Sequence, residues 1–193
     1  SVLVSGTAGS GKTSLAAHFV AAACKRGEKS LYFAFEEPAS QIIRNMRSIG
    51  VDLQPWVDQG LLRFHAVRPS MYGLEMHLLT MQQIIKEFAP GVVVVDPITN
   101  MLGASNQLEV KSMIVRLIDF LKMRHITALF SSLTTGSMDE ASTNANMSSL
   151  MDTWLLVRYL ESNGERNRGL YILKSRGMNH SNQIREFRLT GNG

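Results

Sequence analysis

Cysteine is nearly absent: Cys24 stands alone among 193 residues. That excludes a disulfide framework and a metal site built on several thiolates. No run of 18 apolar residues occurs, which excludes a membrane-spanning helix. No Pro/Gly/Ser-rich linker, low-complexity tract or internal repeat divides the chain. The opening Ser1-Val2-Leu3-Val4-Ser5 lacks the charged region of a signal peptide. Lys and Arg are missing altogether between His125 and Val157. The single cysteine and the lack of a membrane span or signal peptide predict a reduced, soluble, cytoplasmic protein.

What is present is ordinary globular material. Hydrophobic residues make up 45% and charged residues 19%, which argues against disorder. A chain of this length suits one domain that buries about 70% of its unfolded surface. The net charge is +4, and residues 151–193 hold 7 Lys+Arg against 4 Asp+Glu. A basic surplus of that size suits phosphates, nucleic acid, an acidic partner or a plain solvated face. Ser1 sits at the edge of the first strand pattern, which predicts a domain, residues 1–193, cut from a longer chain.

Short apolar runs alternate with helical patterns over most of the chain. Val2–Val4, Ser30–Phe35, Leu61–His65, Gly91–Asp96 and Ile126–Phe130 read as strands. Lys12–Lys25, Pro38–Ser48, Leu74–Phe88 and Val110–Leu121 carry apolar residues at helical spacing. Gly91–Asp96 is continuous and β-branched, as a parallel strand covered on both faces must be. This order predicts an α/β fold with a mainly parallel sheet flanked by helices. Towards the end, Thr153–Leu160, Gly169–Arg176 and Ile184–Leu189 read as successive strands, with Asn163-Gly164 marking a hairpin. They predict an antiparallel extension that completes the sheet.

Gly6-Thr7-Ala8-Gly9-Ser10-Gly11-Lys12-Thr13 matches G-x-x-x-x-G-K-[ST] between a strand and a helix. Glycines let the backbone wrap a phosphate chain, with N–H groups pointing inward at a helix start. Ala8, Gly9, Ser10, Gly11, Lys12, Thr13 and Ser14 are therefore candidate nucleotide-binding residues. Lys12 would reach the β- and γ-phosphates of ATP, and the Thr13 hydroxyl would bind Mg²⁺. Asp96 ends the Val92–Val95 run, at the strand edge where ligands lie in such sheets. Glu36 and Glu37 end the second strand at the same edge, where a carboxylate can take a proton from water or a hydroxyl. Thr13, Glu36 and Asp96 form the candidate metal set, and Glu36, Glu37 and Lys12 the candidate catalytic set. Read without further context, Asp96 could end a strand in a turn, and the glutamates could charge a helix start.

The phosphate loop, the paired glutamates and the apolar run ending in Asp resemble the RecA-like P-loop NTPases. Phe33-Ala34-Phe35-Glu36-Glu37, Met151-Asp152-Thr153, Leu173-Lys174-Ser175-Arg176-Gly177 and Ile184-Arg185-Glu186-Phe187 are similar to the KaiC-like ATPases and autokinases of the circadian clock. Similarity is greatest to the second, C-terminal of that family's two tandem domains and runs over essentially the whole chain. The resemblance implies a homo-hexameric ring with ATP between neighbouring subunits, and signalling or clock proteins as partners. It implies that Glu36 is the catalytic base, with Glu37 beside it. It implies that Lys174 and Arg176 reach the adjacent subunit's nucleotide, with Arg168, Ser175, Met178, His180 and Asn182 completing that pocket. It also implies autophosphorylation, with Ser148 and Ser149 as acceptors and Thr143 matching a nearby Thr. Three positions depart from the family: Ser149 replaces a Thr, Asn146 a His, and Ile49 an aromatic residue.

Two other function classes fit the same loop. One is a DNA-dependent ATPase of the recombinase or helicase kind, the other a nucleotide-gated interaction module. The cation-free stretch before Val157 counts against DNA. It holds seven Ser or Thr within Ser131–Thr143, with Asp139 and Glu140, a composition suited to phosphoacceptors and unsuited to a nucleic-acid backbone.

Overall fold

The structure, a computed structural model, describes residues 1–71, 73–102, 107–134, 149–162 and 164–191. The strands are β1 (Val2–Gly6), β2 (Ser30–Ala34), β3 (Leu62–Ala66), β4 (Val92–Asp96), β5 (Thr127–Leu133), β6 (Thr153–Ser162), β7 (Glu165–Ser175) and β8 (Arg185–Glu186). The helices are α1 (Lys12–Lys25), α2 (Ala39–Arg47), α3 (Gln54–Asp58), α4 (Leu74–Phe88), α5 (Thr99–Leu102) and α6 (Gln107–Met123), with a 3₁₀ turn at Pro69–Met71. All strands join one sheet in the order β3-β2-β4-β5-β1-β6-β7-β8. The first six run parallel; β6–β7 and β7–β8 are antiparallel. This is the expected RecA-type α/β architecture. β6 is shared between its two parts, parallel to β1 on one side and antiparallel to β7 on the other.

Alternation along the parallel strands sends side chains to two cores. Leu3, Leu31, Phe33, Val93, Val95 and Phe130 pack with α4 and α6 on one face. Val4, Tyr32, Ala34, Val92, Val94 and Leu129 pack with α1 and α2 on the other. Burying each of the four valines of β4 contributes about 1.5–3 kcal/mol, an upper figure because unfolded chains already hide some apolar surface. Cys24 is buried in α1 as part of the second core, as its place on the helix's apolar side predicts. Trp154 packs against the first core, and its indole N–H donates to Ser5 Oγ at 2.7 Å.

Differences from expectation are local. α3, α5 and the 3₁₀ turn have three to five residues each, too few to show a period. Pro38 stands at the N-cap of α2 rather than inside it. The expected strand Ile184–Leu189 shrinks to Arg185–Glu186. Just beyond that pair the Phe187 N–H still donates to the Arg168 carbonyl of β7 at 2.8 Å, while the Phe187 and Leu189 side chains lie against Gly11 of the phosphate loop. Among the described residues no helix is long and apolar enough to cross a membrane.

Candidate functional site

The loop from Gly6 to Thr13 joins β1 to α1 at the carboxyl edge of the parallel strands, where a crevice forms in open sheets of this kind. Gly6 is required by close approach: a Cβ there would lie 2.2 Å from the Val157 carbonyl oxygen. Gly11 caps α1 at φ 104°, in the left-handed region that favours glycine. Ser10 N–H closes the turn on the Thr7 carbonyl at 3.2 Å. Thr7 Oγ1 and Ser10 Oγ are buried without a hydrogen-bond partner among the described residues. Such orphaned hydroxyls within a loop of inward N–H groups suit an oxyanion ligand.

The Lys12 ammonium donates to the carbonyl oxygens of Gly6 and Thr7, at 2.8 Å each. Burial lowers its pKa, while Asp96 and Glu36 act in the opposite sense and favour the charged form. Thr13 Oγ1 donates to Asp96 Oδ2 at 3.0 Å. The Tyr32 phenol donates to that same oxygen, and Ser131 Oγ donates to Asp96 Oδ1. Burial, followed by the Asp96 charge, pushes the Tyr32 phenol well above its ordinary pKa, so it acts as a hydrogen-bond donor.

Glu36 and Glu37 stand in the turn between β2 and α2, Glu36 exposed and Glu37 half-buried. Asn45 Nδ2 donates to Glu37 Oε2 at 3.4 Å. The structure brings Ala8, Gly9, Gly11, Lys12, Thr13, Ser14, Glu36, Glu37 and Asp96 around one cavity of about 310 Å³, which Leu133 and Leu189 also line. A second cavity of about 650 Å³ also touches Ala8 and Leu133 and is lined further by Thr7, Arg158, Tyr159, Glu161 and Arg166.

Among the described residues no three His, Cys, Asp or Glu side chains form a cation cage. One hydroxyl and one fixed carboxylate beside a phosphate-binding loop still fit Mg²⁺. That ion keeps several waters and takes its remaining ligands from phosphate oxygens and one or two side chains.

The residues that the family resemblance assigns to a neighbour's nucleotide fall into two groups. Arg168 lies near its own loop, with Nε and one terminal nitrogen 3.4 Å from the Gly9 carbonyl. Tyr159 joins it there, its phenol donating to Gly9 O at 2.6 Å. Lys174, Ser175 and Arg176 lie at the opposite end of β7. Lys174 pairs with Trp154, which is level with Leu3, three residues and roughly 10 Å back from Gly6. Met178, His180 and Asn182 follow in an exposed segment. Burial and the adjacent Arg176 charge lower the Lys174 pKa. Arg176 donates to the carbonyl of Ser149, 2.7 Å away. Thr143, Asn146 and Ser148 lie outside the described residues.

Sequence reasoning passed over Tyr32, Ser131, Tyr159, Phe187 and Leu189. A phenol inside an apolar central strand was a signal, because a buried Tyr hydroxyl needs a partner. Ser131 ending the apolar Ile126–Phe130 run was another. Nothing local marks Tyr159, Phe187 or Leu189, which reach the loop across some 150 residues or more.

Comparison with known proteins places this geometry in a family. The family model described as "ATPase: KaiC" matches residues 1–193. The chain is 52% identical over 195 residues to "Circadian clock protein KaiC2" of Synechocystis sp., covering 100% of the chain and 34% of that protein. It is 38% identical over 193 residues to "Circadian clock protein KaiC3" of the same organism, covering 38% of it. It is 34% identical over 193 residues to "Circadian clock oscillator protein KaiC" of Thermosynechococcus vestitus, covering 37% of it. The chain thus spans little more than a third of the length of the curated relatives it matches.

Proposed function

The chain belongs to the KaiC ATPase family, and from that premise we propose that it binds and hydrolyses Mg·ATP at the Gly6–Thr13 loop. The observation that most supports this reading is the Thr13–Asp96 hydrogen bond, in a cavity that Lys12 and the phosphate loop also line. Thr13 and Asp96 would hold Mg²⁺, with Glu36 near it, and the ion would neutralise charge developing on the β- and γ-phosphates. Lys12 would bind the same phosphates in place of the Gly6 and Thr7 carbonyls. Glu36 would accept the proton of the attacking water, and Glu37, held by Asn45, would support it.

We propose further that residues 1–193 are one domain of a longer, tandem-domain chain, and that the protein works as a homo-hexameric ring in the cytoplasm. In that ring Lys174 and Arg176 serve the neighbour's nucleotide, with Ser175, Met178, His180 and Asn182 around them. Their distance from their own loop along β7 suits such a role. Arg168 would act from beside its own Gly9. Transfer of the γ-phosphoryl group to Ser148 or Ser149 would make the enzyme an autokinase, and clock or signalling proteins its partners.

The test is ATP turnover with and without single-stranded DNA, beside intact-mass analysis after incubation with Mg·ATP. Turnover indifferent to DNA, with added phosphate mapping to residues 142–153, is the expected result. Turnover that requires DNA would replace this reading with a DNA-dependent ATPase. An unmodified 142–153 peptide under turnover conditions would leave an ATPase without autokinase activity.

A further inference from the structure

Asp96 is held by three hydroxyls from three elements: Thr13 in α1, Tyr32 in β2 and Ser131 in β5. Asp96 is 7% exposed, and Tyr32 and Ser131 are fully buried. Tyr32 is level with Val94, two residues below Asp96 in the β2–β4 register. Its ring climbs roughly 6.6 Å of strand beneath α1 to bring the phenol to Oδ2. The ring also packs against Phe64, with centroids 5.1 Å apart. Phenylalanine would fill the same core volume without burying a polar atom, so packing alone does not account for the hydroxyl.

We propose that Tyr32, seconded by Ser131, is a positioning residue that fixes Asp96 towards Thr13 and so sets how strongly Mg²⁺ tightens nucleotide binding. The inference rests on reading the loop as a Mg·ATP site. Oδ2 shares its lone pairs between Tyr32 and Thr13, while Ser131 stops the carboxylate turning about its Cβ–Cγ bond. Thr13 can then keep its proton on Asp96 while its oxygen turns to a cation. Without the phenol, Asp96 regains rotational freedom, and the Thr13 hydroxyl loses its fixed acceptor. Groups that orient metal-site side chains in this way commonly change metal affinity 10–100-fold when removed.

The experiment measures binding of a fluorescent, non-hydrolysable ATP analogue in EDTA and across a Mg²⁺ titration. Wild type, Tyr32→Phe, Ser131→Ala and Phe64→Leu are compared, with thermal melting of each. Tyr32→Phe is expected to bind the analogue in EDTA as wild type does, but to need roughly 10–100-fold more Mg²⁺ for half the tightening. Ser131→Ala shifts the same way and carries the test if Tyr32→Phe does not fold. Phe64→Leu melts earlier with its Mg²⁺ midpoint unmoved, which separates packing from positioning. A Tyr32→Phe midpoint within twofold of wild type overturns the inference and leaves the Mg·ATP reading intact. A wild-type protein whose analogue affinity ignores Mg²⁺ overturns both.

Discussion

In β4, Val92 to Val95 are each at most 3% exposed, whereas along the whole of β7 Gly169 is the one buried residue. The same sheet therefore contains two kinds of strand. The parallel part is covered on both faces and gathers its polar groups at one edge, where Asp96 accepts from Thr13, Tyr32 and Ser131. The β6–β7 ribbon is more exposed and carries cations stacked on tyrosines: Arg166 over Tyr159 at 3.9 Å and Arg158 over Tyr171 at 5.3 Å. A carboxylate fixed by three hydroxyls keeps its geometry within one subunit. An exposed cationic ribbon completes a site only against something else, and the proposed ring supplies that as the neighbouring subunit.

The sharpest way to break this contrast is inside the buried edge. Lys12→Ala removes a charge-assisted contact worth roughly 1.5–3 kcal/mol and should weaken ATP binding about 10–100-fold while abolishing turnover. Calorimetric titration with ATP reads the first effect, and phosphate release the second. Unchanged ATP affinity would separate the loop from nucleotide binding altogether. Next in size is Glu36→Gln with Glu37→Gln, which keeps shape and removes proton-accepting capacity. Turnover should fall about 10²–10⁴-fold with nucleotide affinity nearly constant. Wild-type turnover in that variant would reduce both glutamates to the charged start of α2.

A smaller effect compares the two regions through stability. Val94→Ala leaves a cavity in a fully buried strand and should cost about 2–3 kcal/mol in urea unfolding. Leu173→Ala, at a position 41% exposed on the ribbon, should cost about 0.5 kcal/mol or less. Equal losses would mean that the ribbon is as tightly packed as the parallel part, against its observed exposure.

The same contrast decides what could be read before the structure. Val92–Asp96 and the Gly6–Thr13 loop were legible because a doubly covered strand and a phosphate loop impose their chemistry on consecutive residues. Glu36, Glu37 and Asp96 share an edge because parallel strands end there, so topology alone brings them together. Tyr32 escaped because it reads as a good strand former, and its partner is set by sheet register rather than by spacing. Phe187 and Leu189 alternate as a strand would, but their packing on the loop is tertiary. Lys174 and Arg176 were legible through the family resemblance; β7 ends at Ser175, so Arg176 lies just beyond the strand that carries Lys174. Their separation from their own loop follows from the antiparallel return of β7, which reverses the end at which those cations emerge.

The proposed ring requires that one subunit's loop be completed by another subunit's ribbon. Arg176→Ala and Lys12→Ala proteins, each inactive alone, are mixed and allowed to exchange subunits, with exchange followed by native mass spectrometry. Random mixing in a ring gives about a quarter of interfaces an intact Lys12 facing an intact Arg176, so a comparable share of wild-type turnover should return. Confirmed exchange with no recovery above the separate samples would mean that Arg176 serves its own subunit, and the division of labour between the two regions would fail.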